Sequence, residues 1–415
     1  MKIAIIAAEI TPWAKVGGLA DVINALPVAL KDAGAEPSII LPGYRSILGQ
    51  LKTRPIGSKM AVPLGGKPES FTILGGETPA GIPIYIVNHP GFFDRDGVYG
   101  ERGAPYDDNF RRYIFFGRAA VLAAAELIRP GVIHAHDWHT AMAPIAARAD
   151  PDFRERLKNV STIFTVHNLA FQGILEAADF PLLDIDDAFF SIDCLEFYGK
   201  VNLMKGAIVL SDGASTVSPS YAREVTRDSE LGFGLEGVLR GKGDRFQGIL
   251  NGADYAEWDP VHDMEIPARY DGTDATGKKQ CARALRREFS LAESNHRPLA
   301  GMVTRLTPQK GTDLLIEAMD KMMALDLQMI ILGSGDPASE EFFRRAAERY
   351  PDRFRVQIGF DNALAHRIQA GSDIFLMPSR FEPCGLTQMY ALRYGAAPLV
   401  RATGGLRDTI AEYNP

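Results

Sequence analysis

The chain has 415 residues, of which 46% are hydrophobic and 23% charged, and its formal net charge is -7. At roughly 100 to 200 residues per domain this length predicts two domains, and the composition is that of a globular protein rather than a disordered one. A net negative charge disfavours nucleic-acid binding through phosphates. The three cysteines lie far apart, which excludes a disulfide framework. No apolar run approaches the ~20 residues that span a bilayer.

The N-terminus begins with an apolar stretch that ends at Glu9. A secretory signal has roughly 7 to 15 apolar residues followed by a cleavage site, and no Arg-rich transit segment precedes this stretch. The stretch therefore predicts a buried first strand. Together with the cysteine usage, it places the expected location of the protein in the cytoplasm.

Short runs rich in Ile and Val recur along the chain, and most are followed by an amphipathic stretch. A first series of predicted strands covers residues 2–8, 37–41, 84–87, 131–134 and 162–166. A second series covers 246–250, 299–303, 328–332, 354–358, 374–377 and 397–400. Strands that alternate with helices indicate parallel βαβ units, whose ligand loops follow the carboxyl ends of the strands.

The restart of this pattern predicts two doubly wound α/β domains, residues 1–243 and 244–415, separated at the polar, glycine-rich break 241–244. We expect the two domains to face each other across a deep cleft, because such clefts are preferred sites for small molecules. Closure of a cleft of this kind can exclude water from a reaction.

A glycine pair, Gly17 and Gly18, follows the first strand and opens a helical pattern, with Lys15 and Asp21 close by. Paired glycines let a ligand approach the backbone, and a helix N-terminus beside a lysine attracts an anion. An anion site and a plain glycine turn with a solvated lysine both fit the motif. It is not the G-x-G-x-x-G fingerprint, so no nicotinamide cofactor is predicted.

The segment 134–139, at the end of a strand, holds three histidines, Asp137 and a tryptophan. It has neither a closed zinc set nor the H-E-x-x-H spacing, so we predict no metal there. Polar groups beside an indole suit a sugar. His167 follows the next strand and can offer a side-chain and a backbone acceptor to one ligand. Structural histidines explain either segment as well.

Two cations, Arg305 and Lys310, share one loop between a strand and a helix. If they converge there, they can bind a diphosphate and neutralise the charge that develops on a leaving phosphate, without a metal. The alternative is a pair of solvated charges at a helix terminus.

Glu382 follows the predicted strand 374–377 and is positioned to accept hydrogen bonds from sugar hydroxyls, although a solvated loop carboxylate is the alternative. Residues 403–406 repeat the glycine-pair motif before a helical stretch, either as a second anion site or as a plain turn. Residues 251–254 are typical of a turn.

With these motifs in view, the chain resembles the bacterial glycogen synthases, retaining enzymes that use ADP-glucose and are grouped with the starch synthases in glycosyltransferase family 5. The resemblance runs from Met1 to Pro415. It rests on segments that keep the family's order and nearly its spacing, namely 15–19, 136–139, 165–168, 251–254, 379–386 and 403–406, and on Arg305 with Lys310.

The resemblance implies an α/β protein with the GT-B fold, two Rossmann-like domains around a deep cleft, the first on the acceptor side and the second on the ADP-glucose side. It implies transfer of glucose from ADP-glucose to the non-reducing 4-hydroxyl of an α-1,4-glucan such as glycogen, with retention of configuration. No metal or other cofactor is implied. The implied partners are ADP-glucose and the glucan, not nucleic acid or a membrane, and the oligomeric state is left open.

The resemblance also implies roles for single residues. Arg305 and Lys310 would grip the diphosphate, Glu382 would bind hydroxyls of the transferred glucose, and His167 would lie near its anomeric carbon and 6-hydroxyl. Further donor and nearby contacts are implied for Lys15, Gly17, Gly18, Asp21, Asp137, Asn251, Phe360, Thr403, Gly404, Gly405 and Leu406. The family suggests a front-face displacement in which the leaving phosphate helps to deprotonate the acceptor.

Three departures from the family pattern limit this transfer of roles. The wider GT-B class often has a second glutamate eight positions after the first, where this chain has Tyr390, as glycogen synthases usually do. Phe360 stands where relatives commonly carry a tyrosine against the adenine. The chain ends at Pro415, whereas relatives continue into a last helix that returns to the first domain, so we expect exposed apolar surface and looser domain closure.

Two further functions stay open. One is a glucan-binding protein with weak catalysis, suggested by the early end of the chain. The other is a different retaining GT-B activity that uses UDP-glucose or makes sucrose or trehalose. The intact cationic and glycine loops favour the synthase, because a pure binding module has no need of a diphosphate site.

Overall fold

The structure is a computed structural model that describes residues 1–101, 104–294 and 296–414. It divides into two compact units, Met1–Ile249 and Leu250–Pro415. Each unit is built from strands alternating with helices around a largely parallel sheet, as the sequence pattern predicts. Within the described ranges, no helix has the length and apolar character needed to cross a membrane.

The first unit contains fourteen strands in its described part. They are β1 (Lys2–Ile6), β2 (Glu36–Pro42), β3 (Arg54–Pro63), β4 (Pro68–Glu77), β5 (Pro83–Asn88), β6 (Gly100–Glu101), β7 (Ala104–Pro105), β8 (Val132–His136), β9 (Ser161–Val166), β10 (Ile174–Glu176), β11 (Glu196–Phe197), β12 (Lys200–Asn202), β13 (Gly213–Thr216) and β14 (Phe246–Gly248). Its α-helices are α1 (Gly18–Asp32), α2 (Arg45–Leu48), α3 (Pro90–Phe93), α4 (Asn109–Ala123), α5 (Met142–Ala149), α6 (Pro151–Arg156), α7 (Leu203–Leu210), α8 (Pro219–Arg227), α9 (Ser229–Gly232) and α10 (Glu236–Gly241).

The main sheet of the first unit has the strand order β14-β13-β9-β8-β1-β2-β5-β4-β3 in the described residues. The pairs that involve β4 are antiparallel, and the others are parallel. Ala4, Ile5 and Ile6 of β1 are completely buried, as is typical of a parallel strand covered on both faces. Strand order reverses between β1 and β8, and in open α/β sheets ligands bind outside the carboxyl ends at such a switch point.

The second unit has a five-stranded parallel sheet of order β17-β16-β15-β18-β19 in the part that the structure describes. Its strands are β15 (Leu299–Val303), β16 (Gln328–Gly333), β17 (Phe354–Ile358), β18 (Ile374–Met377) and β19 (Ala397–Val400). Its α-helices are α11 (Thr276–Glu288), α12 (Thr312–Ala324), α13 (Pro337–Arg349), α14 (Asn362–Gly371), α15 (Thr387–Arg393) and α16 (Gly404–Thr409). The switch point of this sheet lies between β15 and β18.

Alternate residues of β16 belong to two different hydrophobic clusters. Ile330 and Leu332 pack in one cluster, and Met329 and Ile331 pack in the other. Successive side chains of a strand point to opposite faces, so both faces of the second sheet are buried. The sheet is therefore a rigid support for the loops at its carboxyl edge.

The predicted assignment of strand 246–250 to the second domain is corrected by the structure. β14 pairs in parallel with β13 and is the last strand of the first unit. The division accordingly falls between Ile249 and Leu250 rather than between residues 243 and 244. A glycine-rich break shows where a helix ends, but it does not show which sheet the next strand joins.

Candidate active site

The carboxyl ends of β1, β8 and β9 carry the first group of predicted site residues. The parallel register sets His134 of β8 beside Ile5 of β1, and Thr165 of β9 beside His136. The loops that follow these strands therefore start next to one another, at the switch point of the first sheet.

The loop after β1 is organised around a buried carboxylate, Glu9. One of its oxygens accepts hydrogen bonds from the backbone N–H groups of Val16, at 2.9 Å, and Gly17, at 2.8 Å. The other oxygen accepts one from the Tyr99 hydroxyl at 2.7 Å. Burial raises the pKa of Glu9, and the hydrogen bond from Gly17 opposes that shift. Two N–H groups of the predicted anion loop are thus already bonded to a carboxyl group that the chain itself supplies.

Lys15 makes an ion pair within the same loop. Its ammonium lies 2.7 Å from a carboxylate oxygen of Asp21, and the same oxygen accepts a hydrogen bond from the Thr11 hydroxyl at 2.9 Å. Lys15 is therefore held at the first turn of α1 instead of being free in solvent. A cavity of about 380 Å³ opens beside this loop, with Trp13 and Tyr99 in its wall.

Tyr99 joins two of the loops at this edge of the sheet. Its hydroxyl binds Glu9, and its ring stacks on that of His139, with centroids 4.2 Å apart. Neither Glu9 nor Tyr99 was predicted as a site residue. Glu9 had a usable signal, because it is a carboxylate that directly follows an apolar strand and precedes the predicted anion loop. Tyr99 lies in a loop that carries no motif.

The histidines of β8 and of the loop after β9 form a hydrogen-bonded set. His136 Nδ1 lies 2.9 Å from His167 Nε2, and His134 Nε2 lies 2.7 Å from the Thr165 hydroxyl. Burial lowers the pKa of His134 to about 4 and, together with His134, that of His167 to about 3. These imidazoles are therefore neutral at neutral pH. Across the described residues, no cluster of three or more His, Cys, Asp or Glu side chains is arranged to hold a metal ion.

Asp137 occupies a strained position between β8 and the turn that follows. Its φ is 59°, a left-handed value that few non-glycine residues adopt. Its carboxylate accepts the backbone N–H of His167 at 2.7 Å, which ties the loops after β8 and β9 together. Burial raises the pKa of Asp137 to about 7, although the hydrogen bond from His167 opposes the shift. The predicted residues Asp137 and His167 are thus direct neighbours.

Replacing Asp137 with asparagine is expected to stabilise the protein more at about pH 8 than at about pH 5. The pKa of this carboxyl rises from 3.8 to about 7 on folding, so between these values only the unfolded chain loses the proton, and stability falls as pH rises. Asparagine does not titrate and can still accept the N–H of His167. One pKa unit corresponds to about 1.4 kcal/mol, and since Asp137 keeps some solvent contact we expect a difference of about 1 to 2 kcal/mol.

The measurement is the melting temperature of the wild type and the Asp137→Asn variant across this pH range. Asp152→Asn, at an exposed position on α6, is the matched control for the removal of one surface carboxylate. An Asp137→Asn difference that stays constant with pH would contradict the prediction.

In the second unit, Lys310 and Glu382 form an ion pair at the switch point. The ammonium lies 2.8 and 2.7 Å from the two carboxylate oxygens, and the Ser379 hydroxyl donates to one of them at 2.8 Å. The side chain of Glu382 is 7% exposed and that of Lys310 18%. The structure therefore brings together two predicted site residues that are 72 positions apart in the chain.

Close backbone packing holds the loops of this ion pair against each other. Gly311 has φ of 72°, and a Cβ there would stand 2.1 Å from the carbonyl oxygen of Pro378. The backbone N–H of Arg380 donates to the carbonyl of Gln309 at 2.9 Å. A glycine is required at position 311 because both the backbone angle and the space exclude a side chain.

Arg305 differs from Lys310 in that it is exposed. Its guanidinium lies 3.5 Å from the side-chain oxygen of Gln309, at the outer limit of a hydrogen bond. A guanidinium carries five N–H groups in a planar fork, so most of its donors remain available to a ligand.

The second glycine pair packs on the Glu382 loop. A Cβ on Gly404 would stand 2.0 Å from the carbonyl oxygen of Glu382, and one on Gly405 would stand 2.3 Å from Cα of Cys384. The N–H of Gly405 donates to the Glu382 carbonyl at 3.0 Å. The pair therefore brings the N-terminus of α16, with Thr403 as its N-cap, against Glu382. A direct contact of these residues with a ligand stays a prediction.

Leu406 lies in α16 directly after the glycine pair. Its side chain is completely buried in a hydrophobic cluster of the second unit, and its N–H donates to the carbonyl of Thr403 at 3.0 Å. The expected contact of Leu406 with the donor stays a prediction. A residue type at the start of a helix does not reveal which way its side chain points.

Phe360 and Asn251 lie at the margins of this group. Phe360 follows β17, at the edge of the sheet, and is 77% exposed, so its ring is available for stacking. The thiol of Cys384 is hydrogen-bonded with the backbone of Asn251, and burial raises the pKa of that thiol to about 12. This hydrogen bond fixes Asn251 beside Cys384, which follows Glu382 by two residues.

The predicted site residues therefore form two groups, one in each unit. The group of the first unit contains Lys15, Gly17, Gly18, Asp21, Asp137 and His167. The group of the second unit contains Asn251, Arg305, Lys310, Glu382, Thr403, Gly404 and Gly405, with Phe360 at the sheet edge. Each group lies at the switch point of its own sheet, where α/β proteins bind ligands.

Two family models match the chain. The starch synthase catalytic domain matches residues 2–241, and the glycosyl transferases group 1 family matches residues 286–415. A glycogen synthase of Anaeromyxobacter sp. is 43% identical over 417 residues, which cover 100% of this chain and 86% of that protein. A glycogen synthase of Koribacter versatilis is also 43% identical, over 419 residues that cover 100% of this chain and 85% of that protein.

Solved structures show the same similarity. The catalytic domain of starch synthase IV from Arabidopsis thaliana, bound to ADP and acarbose, matches with a TM-score of 0.91 at 36% identity, covering 100% of this chain and 85% of that one. A sucrose-phosphate synthase from Thermosynechococcus elongatus matches with a TM-score of 0.58 at 17% identity, covering 99% and 83%. The second match is evidence for the fold alone.

Proposed function

The chain belongs to the glycogen synthase family of glycosyltransferases with the GT-B fold, and from this premise we propose that it transfers glucose from ADP-glucose to a glucan. The acceptor in this proposal is the 4-hydroxyl at the non-reducing end of an α-1,4-glucan, and the α configuration is retained. The similarity to a starch synthase domain bound to ADP and acarbose supports both substrates.

The observation that carries the proposal is the Lys310–Glu382 pair at the switch point of the second sheet. A carboxylate offers about four lone-pair positions, and Lys310 and Ser379 occupy three of those of Glu382. One position remains for a sugar hydroxyl. Because Glu382 is already bound to a cation, we assign it to holding the glucose rather than to attacking it.

Arg305 and Lys310 supply the positive charge that the departing ADP requires. As the bond between the anomeric carbon and the diphosphate oxygen breaks, negative charge develops on that oxygen, and fixed cations stabilise it. The acceptor 4-hydroxyl forms the new bond on the same face and gives its proton to the leaving phosphate. The two cations serve this step without a metal or other cofactor.

The neutral imidazole of His167 suits a sugar rather than a phosphate. Its Nε2 is engaged with His136, which leaves Nδ1 for a hydroxyl of the transferred glucose. Asp137 holds the backbone of His167 in place. We therefore assign His167 and Asp137 to orienting the sugar. Lys15 can add positive charge near the diphosphate only if its ion pair with Asp21 breaks.

The base of the donor is proposed to stack on Phe360, whose ring is exposed. Stacking on an aromatic ring tolerates many bases, so the preference for ADP-glucose over UDP-glucose rests on the family relationship. A cytoplasmic location is proposed as well, supported by the three cysteines, which are all buried thiols without a disulfide.

The test is ADP release from ADP-glucose with and without glycogen, with UDP-glucose assayed in parallel. We expect release that depends on glycogen and is faster with ADP-glucose. Glycogen binding without turnover would favour a glucan-binding protein instead. Faster turnover of UDP-glucose would favour another GT-B activity.

A further inference from the structure

The position eight residues after Glu382 is occupied by Tyr390, which lies in α15 and is 3% exposed. Its ring lies parallel to that of Trp258, with centroids 4.4 Å apart and an angle of 2° between the planes. Where the wider GT-B class often places a second carboxylate, this chain therefore has a buried aromatic stack.

The other face of Trp258 is covered by His366 of α14. The two rings are 3.7 Å apart and inclined by 13°. His366 Nδ1 lies 2.8 Å from a carboxylate oxygen of Asp263, which also accepts a hydrogen bond from the Tyr394 hydroxyl. Trp258, His366 and Asp263 are 5%, 2% and 4% exposed. A stack this well buried, with Nδ1 of His366 bonded to Asp263, leaves the rings little room to move.

The segment 255–270, which we call the strap, also binds the far end of α15. Asp259 of the strap pairs with Arg393, and the hydroxyl of Tyr270 donates to the carbonyl of Tyr394 at 2.9 Å. Six residues separate the end of β14 from the start of the strap. Its aromatic and charged residues thus contact the C-terminal half of α15, from Tyr390 to Tyr394.

The near end of α15 is bonded to the Glu382 loop. The side-chain amide of Gln388, completely buried, donates to the carbonyls of Cys384, at 3.1 Å, and Gly385, at 3.0 Å. A shift of α15 is therefore transmitted to the loop that carries Glu382. In this way the strap, α15 and the loop form one continuous set of contacts.

We propose that Trp258 and Tyr390 are positioning residues for the donor site, because their stack sets the place of α15 and thereby the place of Glu382 opposite Lys310. Both rings are buried and act through the helix rather than on the substrate. The proposal rests on the proposed function in that Glu382 is taken to bind the transferred glucose.

The experiment compares variants that remove the stack with variants that keep it. Trp258→Leu and Tyr390→Leu remove it from opposite sides, so either variant tests the proposal if the other does not fold. Trp258→Phe and Tyr390→Phe keep an aromatic ring. In the leucine variants we expect the KM for ADP-glucose to rise about fivefold or more, with the KM for glycogen unchanged. In the phenylalanine variants the KM for ADP-glucose should stay close to that of the wild type.

Alkylation by N-ethylmaleimide, followed by peptide mass spectrometry, gives a second readout that needs no turnover. Cys384 lies in the Glu382 loop, whereas Cys281 lies in α11 of the same unit, and both thiols are buried. The leucine variants should speed the alkylation of Cys384 about tenfold, and clearly more than that of Cys281, whose thiol donates to the carbonyl of Ala268 in the strap. Phe343→Leu, in the other hydrophobic cluster of this unit, is the matched control and should leave Cys384 as in the wild type.

The proposal is overturned if the leucine variants only lower the melting temperature, with the KM for ADP-glucose and the alkylation of Cys384 unchanged. Equal acceleration at Cys384 and Cys281 overturns it too, because that indicates general opening of the unit. A higher KM without faster alkylation of Cys384 rejects the route through the Glu382 loop. If the wild type releases no ADP, the proposed function is refuted instead. The alkylation rates then test by themselves whether the stack positions the Glu382 loop.

Discussion

Replacement of Lys310 by glutamine is expected to lower the rate of glycogen-dependent ADP release by about 100- to 1,000-fold, the usual loss when one group that stabilises a developing oxyanion is removed. The ammonium is proposed to bind the leaving diphosphate and contacts both oxygens of Glu382. Its loss removes the cation and also frees the carboxylate to move. The measurement is kcat/KM for ADP-glucose at saturating glycogen.

The same variant should be less stable, by about 3 kcal/mol, because removing one partner leaves the other charge buried and unpaired. The carboxylate of Glu382 is only 7% exposed and would keep the Ser379 hydroxyl as a partner. The double variant Lys310→Gln with Glu382→Gln buries no charge, so we expect it to regain most of the stability but none of the activity. Thermal unfolding of the single and double variants measures this difference.

Lys321→Gln makes the same change of charge at an exposed position of α12 and is the matched control. We expect stability within about 0.5 kcal/mol of the wild type and full activity. If the double variant at 310 and 382 regained activity together with stability, the ion pair would serve the fold and not the reaction.

Arg305→Ala is expected to lose about 100-fold or more in activity, while its stability stays within about 0.5 kcal/mol of the wild type. The guanidinium is exposed, and its contact with Gln309 is long at 3.5 Å, so the folded state gains little from it. Arg305→Lys keeps the charge but not the planar fork, and should recover only part of the activity.

Arg345→Ala, on the exposed face of α13, is the control for the loss of a surface guanidinium, since this residue pairs only with a glutamate of its own helix among the described ion pairs. It should change neither rate nor stability. Full activity of the Arg305→Ala variant would exclude this residue from binding the diphosphate, and Lys310 would then have to carry that role alone.

The strands of the second unit were predicted closely from the sequence. Residues 299–303, 354–358, 374–377 and 397–400 are strands with those same limits. Parallel strands covered on both faces are nearly continuous apolar runs, and such runs are visible without a structure. The family resemblance was equally visible, because its motifs sit at the ends of these runs, and the comparisons with known proteins confirm it.

Other strands escaped prediction. β3 and β4 form an antiparallel edge of the first sheet, and most residues of β3 are exposed, so its apolar signal is weak. β13 has only four residues, Gly213–Thr216. β14 was recognised as a strand but assigned to the wrong unit, because periodicity identifies a strand and not its neighbour in the sheet.

By itself, the sequence determined two α/β units, the loops that carry the cations and carboxylates, and the family. The tertiary structure decided which groups meet: that Glu9 binds the glycine loop and Tyr99, that Lys310 binds Glu382 from another loop, and that Leu406 points into the core. Propensity, periodicity and turn chemistry are local, so they are readable along the chain. Strand order brings distant loops to one edge of a sheet, and it is set by packing over the whole unit, which no local pattern records.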